Sequence, residues 1–413
     1  MPINISVKKR VESVADLKEM IEKSLSASTS ELLEIILKGA IDLNSSDLHF
    51  ETQKIKVNFR LRIDGVLQEI LEFDSKDYER ILSRLKLTSN VKLNVTNLPQ
   101  AGRFTISTEE NQIEIRTSTL PTEYGESIVL RILNPEMLIS LDKLGLRKDL
   151  LELFKKEIKK PNGMIIITGP TGSGKTTTLY AFLKTIQDPG KKIITIEDPI
   201  EYHLKGISQT QTNSTKGYDF ASGLKSIMRQ DPDIILVGEI RDSQTSKIAL
   251  QAALTGHLVF TTLHTNDAAG TVARLISLQA NPINIGSAIN LIIAQRLVRN
   301  VCKKCRIPEK ISDPKMREIK NKLKDIPFPS SSKTFKAKGC KYCNFTGYSG
   351  RTGIFEALIV DEEIEKFILK NQSIAALRKE ALRKGLITIQ QDGLIKFLQG
   401  TTTLEEVERI TGL

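Results

Sequence analysis

The segment Gly169-Pro170-Thr171-Gly172-Ser173-Gly174-Lys175-Thr176 has the residue types that hold a polyphosphate. Its glycines allow successive backbone N–H groups to turn inward. Lys175 can reach the β and γ phosphates, and Thr176, followed by Thr177, can present a hydroxyl to Mg²⁺. The apolar run Met164 to Thr168 precedes the loop and a helix-compatible run, Thr177 to Ile186, follows it. That strand–loop–helix context separates a phosphate loop from an accidental glycine-rich turn. The chemistry expected is hydrolysis of a magnesium nucleotide.

Hydrolysis also needs an acid to orient Mg²⁺ and a base to orient water, both at the carboxyl ends of neighbouring strands. Ile234 to Val237 is an apolar run that leads through Gly238 to Glu239, which takes the metal-side role. Ile193 to Ile196 runs into Glu197-Asp198-Pro199-Ile200-Glu201, where Glu201, or else Glu197, positions the attacking water. A solvated acidic turn is the bland alternative for this cluster. His257 and His264 flank the run Leu258 to Thr262, a spacing that does not suit a shared metal. Sensing of the γ-phosphate fits both better, and a satisfied structural histidine is the alternative for each.

Cys302-Lys303-Lys304-Cys305 and Cys340-Lys341-Tyr342-Cys343 form two C-x-x-C pairs with 34 residues between them. Each pair can offer two thiolates to one tetrahedral Zn²⁺, and the intervening chain is long enough to bring the second pair around. Structural zinc is the expectation, with unbound thiols or a redox pair as the alternative. The neighbouring lysines offset the charge of four thiolates.

These motifs need elements to position them. Four uninterrupted apolar runs (Met164 to Thr168, Ile193 to Ile196, Ile234 to Val237, Leu258 to Thr262) predict strands buried on both faces of a helix-covered parallel sheet, hence an α/β fold. Before them, Lys56 to Ile63 and Gln112 to Thr117 alternate, with turns expected at Asp64-Gly65 and Ala101-Gly102, as in a small α+β domain. The 413 residues exceed one ordinary core. Hydrophobic residues at 40% and charged residues at 26% suit a globular chain. The expected division is a short helical lead over 1–30, an N-terminal domain over 31–135, a linker over 136–145, an ATPase domain over 146–300, a tetracysteine element over 301–347 and a helical region over 348–413.

The uncharged runs Ile248 to Asn266 and Leu275 to Gln295 are too broken by polar residues to span a bilayer, and Lys8, Lys9 and Arg10 arrive before any signal-type apolar stretch. A cytoplasmic location follows as an expectation. The net charge of +11 is compatible with nucleic acid, an anionic membrane surface or simply solvated lysine-rich faces.

Taken together, Gly169 to Thr176, Thr195 to Glu201, Asp231-Pro232-Asp233 through Asp242, and Thr255 to Asp267 resemble, in order and spacing, the ATPases of type II secretion and type IV pilus assembly. In that family they are the Walker A, Asp box, Walker B and His box, and glycine is usual at Gly238. The resemblance extends through Ser46 to His49, Arg60 to Gly65, Gly102-Arg103-Phe104, Arg116 to Pro121 and Arg131. It implies a RecA-like ATPase domain, a PAS-like N-terminal domain, a homohexamer, and Arg103, Arg116 and Arg131 acting as arginine fingers on the nucleotide. It further implies an inner-membrane platform protein as partner, with peripheral membrane association through that partner and no direct contact with nucleic acid.

Assembly ATPases of the family commonly carry a tetracysteine element, which disfavours the alternative of a retraction motor. A nucleic-acid-associated P-loop motor is the third reading, for which the usual recognition motifs are missing. Two departures stand out. Gln100-Ala101-Gly102-Arg103 has alanine where aspartate is usual, and the sequence is expected to begin almost directly at the PAS-like domain, without the larger N-terminal module many members have.

Overall fold

Alternation along Lys56–Ile63 puts every second side chain of that strand in a core, and the same period-2 pattern recurs on its neighbours. The computed structural model describes residues 3–5, 10–108, 112–137, 139–323, 326, 333–370 and 373–412. Lys8 and Lys9 lie outside the described residues. The chain divides into two units.

The first unit comprises Met1–Met137, Val301–Ile307 and Ala337–Gly350. Its strands are β1 (Ile3–Asn4), β2 (Ser45–Thr52), β3 (Lys56–Ile63), β4 (Val66–Asp74), β5 (Gln100–Ser107), β6 (Gln112–Thr122) and β7 (Gly125–Leu133), and its helices are α1 (Val14–Lys23), α2 (Thr29–Asp42) and α3 (Ser75–Thr88). The sheet runs β1-β5-β6-β7-β2-β3-β4, antiparallel throughout except for β1 beside β5. Leu17, Ile36, Ile81 and Leu85 from the helices share one core with Leu48, Phe50, Phe59, Ile115 and Leu130 of the strands. Phe50 and Phe59 stack at 4.6 Å there.

Asp64 and Gly65 do form a tight turn, both with positive φ (50° and 83°), as a two-residue hairpin requires. The turn expected at Ala101-Gly102 is not one. Both residues lie inside β5, and glycine is needed at 102 because a Cβ there would stand 2.2 Å from the Ser89 carbonyl oxygen.

The second unit comprises Leu138–Asn300, Pro308–Lys336 and Arg351–Leu413. Its first elements are α4 (Lys148–Glu157), β8 (Gly163–Thr168), α5 (Lys175–Ile186), β9 (Ile193–Glu197), β10 (Ser208–Gln211), α6 (Phe220–Ile227), β11 (Ile234–Val237), α7 (Ser243–Leu254), β12 (Leu258–Leu263), α8 (Ala268–Ser277), α9 (Pro282–Ala288) and β13 (Ile289–Val301). The sheet order is β10-β9-β11-β12-β8-β13, with Tyr348–Ile359 beyond β13, and the pairs from β10 to β13 are parallel. Every residue of β8, β9, β11 and β12 is buried, which is what uninterrupted apolar runs in a two-sided sheet require.

The tetracysteine element expected over 301–347 divides between the two units. Its two cysteine-bearing ends belong to the first unit, where Val14 N–H donates to Asn344 Oδ1 at 2.8 Å and Gly350 N–H to Asp64 Oδ2 at 2.7 Å. Its middle belongs to the second, where Ile319 and Leu323 pack with Leu394, Phe397 and Val407. The helical pattern after Asp361 resolves into Glu362–Leu369, Ile374–Arg383, Ile389–Leu398 and Leu404–Thr411. Among the described residues no helix is long and apolar enough to cross a membrane.

Candidate nucleotide and metal sites

Parallel register brings Thr168 of β8, Glu197 of β9, Val237 of β11 and Leu263 of β12 to one edge of the second sheet. The loops that leave that edge carry the phosphate loop, Glu201, Glu239 and His264. Ligands of open α/β sheets bind at this carboxyl edge.

Gly169, Gly172 and Gly174 all have positive φ (148°, 77° and 87°), a conformation other residues rarely adopt. Two of the three also face a crowding neighbour. A Cβ at Gly169 would lie 2.4 Å from the Gln295 carbonyl oxygen, and one at Gly174 would lie 2.8 Å from Gln295 Nε2. Pro170 and Thr171 are exposed on the loop, Ser173 is buried within it, and Thr176 and Thr177 lie half-buried in the first turn of α5. Lys175 Nζ donates to the carbonyls of Gly169 (2.8 Å) and Pro170 (3.2 Å). Burial lowers the Lys175 pKa from its usual value, against the opposing pull of Glu239.

Glu239 ion-pairs with Arg241 and stands 3.5 Å from His264 Nε2. Burial, then the charge of Lys175, lowers the His264 pKa below its usual 6.5. Gly238 has a local reason to be glycine: a Cβ would press to 3.3 Å on Glu197 Cα, and its N–H already donates to Ile196 O at 2.8 Å.

The two candidates for the base differ. Glu197 is 3% exposed and accepts hydrogen bonds from Tyr180 Oη, Thr195 Oγ1 (2.6 Å) and Gln209 Nε2 (3.2 Å). Glu201 lies beyond the strand, half-buried.

The histidines part company too. His264 follows β12, whereas His257 precedes it, with its carbonyl accepting from Gly163 N–H (3.1 Å) at the opposite edge of the sheet. A strand of six residues separates the two, about 20 Å at ~3.3 Å per residue. The expectation that both attend the γ-phosphate is corrected accordingly: His257 Nδ1 lies 3.1 Å from Ala252 O, a structural contact, and only His264 is near the phosphate loop.

Arg103, Arg116 and Arg131 belong to the first unit. Arg103 is directly opposite Arg116, Arg116 opposite Arg131, Arg131 opposite Asp47, and Asp47 opposite Arg62. Directly opposed residues share a face, so four arginines and one aspartate form a single row across five strands.

The four cysteine Sγ atoms lie within 4.8 Å of one another. Cys305–Cys343 and Cys340–Cys343 are each 3.8 Å apart, and a tetrahedron with ~2.3 Å metal–sulfur bonds has edges of ~3.8 Å. Cys340 N–H donates to Cys343 Sγ at 3.2 Å, and Cys343 N–H donates back to Cys340 Sγ. That returned bond leads the influences that bring the Cys340 thiol down to about 7, whereas burial pushes Cys305 up to about 12. Lys304 Nζ sits 3.8 Å over the Tyr342 ring and ties the two pairs together. The cluster suits a tetrahedral soft-metal ion.

Several supporting residues escaped the sequence reading. Gln295, 1% exposed on β13, underlies two glycines of the phosphate loop and accepts from Thr178 Oγ1 at 2.8 Å. Its only sequence signal is an amide at the end of an apolar run. Tyr180 gave none.

The sequence model described as Type II/IV secretion system protein matches residues 22–409. The chain belongs to this family. It is a secretion ATPase. The type II secretion system protein E of Pseudomonas aeruginosa is 40% identical to it over 401 residues, covering 97% of this chain and 79% of its own. The type IV pilus assembly ATPase PilB of Thermus thermophilus is 42% identical over 382 residues, covering 92% of this chain but 43% of its own. Among solved structures, the ADP-bound pilus retraction motor PilT is 28% identical with a TM-score of 0.59, covering 91% of this secretion ATPase and 95% of its own chain. The Legionella pneumophila ATPase DotB, 21% identical with a TM-score of 0.67 and coverage of 99% and 98%, shares the fold.

Proposed function

We propose that this secretion ATPase is a hexameric motor on the cytoplasmic face of the inner membrane, powering assembly of a type IV pilus or a type II secretion pseudopilus through a membrane platform protein. Identity of about two residues in five, over 97% and 92% of this chain, to a type II secretion protein E and a pilus assembly ATPase carries this reading. The likeness to a retraction motor is weaker in identity and supports the alternative less.

In this reading the phosphate loop, from Gly169 to Thr177, holds ATP. Lys175 turns from its loop carbonyls to the phosphates, while Thr176 and Glu239 hold Mg²⁺, whose charge offsets that developing on the phosphates. Glu201 orients water. Glu197, committed to three donors, holds Tyr180 of the phosphate-loop helix instead. Arg103, Arg116 and Arg131 supply guanidinium groups to the transition state, and the N-terminal unit is the PAS-like domain of the family. Zn²⁺ held by Cys302, Cys305, Cys340 and Cys343 fastens two distant stretches of chain.

Deleting the coding gene in its native host and counting surface filaments and secreted protein tests the function. Loss of filaments or secretion, restored by the intact chain but not by Lys175→Ala, is expected. Excess filaments on deletion would overturn assembly in favour of retraction.

A further inference from the structure

Three threonine hydroxyls form a continuous chain beside the phosphate loop. Thr168 ends β8, immediately before Gly169, and is fully buried. Its Oγ1 lies 2.7 Å from Thr265 Oγ1, accepts from Thr265 N–H at 2.8 Å, and is 3.1 Å from the Leu263 carbonyl oxygen. Thr265 Oγ1 is in turn 2.8 Å from Thr271 Oγ1 on α8, whose side chain is also fully buried. One set of proton positions satisfies all of these contacts: Thr271 donates to Thr265, Thr265 to Thr168, and Thr168 to Leu263 O. A hydroxyl can donate once and accept twice, so no member is left short.

The loop so fastened is the one that carries His264. It leaves β12 at Leu263, is bonded to the phosphate-loop strand at Thr265, and enters α8 through Asp267, whose carboxylate caps Gly270 N–H at 2.7 Å. His264 itself is half-exposed, and its Nε2 lies 3.5 Å from Glu239. The backbone beside it is fixed at Thr265, which is bonded to Thr168.

We propose that Thr265, locked to Thr168, is a positioning residue that holds His264 against Glu239 beside the phosphate loop, so that its hydroxyl contributes to turnover through the histidine. The inference rests on the reading of His264 as a γ-phosphate residue. A chain of short hydroxyl bonds limits the drift of the loop, and misplacement of a catalytic group by ~1 Å can cost ~10²-fold in rate.

A double-mutant cycle on the full chain tests this, comparing Thr265→Val, His264→Ala and the pair by steady-state ATP turnover and by affinity for a fluorescent ATP analogue. Thr265→Val is expected to lower kcat roughly tenfold to a hundredfold with analogue affinity and melting temperature little changed. It should cause no further loss once His264 is alanine, and Thr265→Ser should restore most of the lost turnover. If Thr265→Val fails to melt cooperatively, Thr168→Val removes the same bond from the other side and carries the same expectations. Losses that multiply in the double variant, or unimpaired turnover in Thr265→Val, would overturn the proposal while leaving His264 in place. Full turnover in His264→Ala would remove the γ-phosphate reading and the positioning role with it.

Discussion

Arg131 of β7 stands directly across from Asp47 of β2, and its Nε donates to Asp47 Oδ1 at 2.9 Å. The aspartate is nearly buried, whereas the Arg131 side chain remains 56% exposed. Asp47 also lies 3.6 Å from Arg62 Nε, so one carboxylate steadies two guanidinium groups. Such an arginine is oriented without being taken out of solvent. Arg131→Ala is predicted to lower ATP turnover by about 10³-fold or more, with circular dichroism and melting unchanged. Lysine at this position should not rescue it, because an ammonium lacks the planar fork.

Glu197 and Glu201 should separate by phenotype. Glu197→Gln places an amide opposite the Tyr180, Thr195 and Gln209 donors and is predicted to cost about 1–3 kcal/mol of stability, measured by denaturant unfolding. Glu201→Gln should leave the unfolding midpoint unchanged while lowering kcat about 10²- to 10⁴-fold at unaltered nucleotide affinity.

The cysteine cluster predicts one zinc per chain by elemental analysis. Cys343→Ser should lose that zinc, since Cys343 Sγ lies 3.8 Å from two partner sulfurs and accepts from Cys340 N–H and Gly347 N–H. A strong chelator should lower the melting temperature of the wild-type chain but not of the variant.

Glu406 links pH to stability. Burial works against its charge, but hydrogen bonds from Arg409 and Arg299, both at 2.7 Å, hold its pKa below the usual 4.5. Because the folded carboxyl is the stronger acid, the unfolded chain binds its proton first as pH falls. The stabilisation is then complete above about pH 4.5 and lost as pH drops through the folded value. Glu406→Gln should melt well below wild type at pH 7, and the two melting temperatures should converge as pH falls through the lowered value of the folded carboxyl.

The strands beneath the phosphate loop were legible in the sequence because they are short, apolar and buried on both faces. β13 was not, since Arg296 and Arg299 interrupt a run that structure continues to Val301. The glycine at 102 reads as a turn because sequence does not show the Ser89 carbonyl packed against it. Long-range pairing was equally hidden. Lys86 and Glu126, each almost wholly buried and 2.7 Å apart, come from a helix and a strand 40 residues distant. The arginine row required strand register, which the spacing of Arg103, Arg116 and Arg131 along the chain does not reveal.

ATP hydrolysis by the purified chain, measured against protein concentration with mass by light scattering on the same samples, tests the motor account most directly. Turnover per chain should rise as hexamers form and collapse in both Lys175→Ala and Arg131→Ala. Turnover from a monomer that is independent of concentration and indifferent to Arg131→Ala would contradict it.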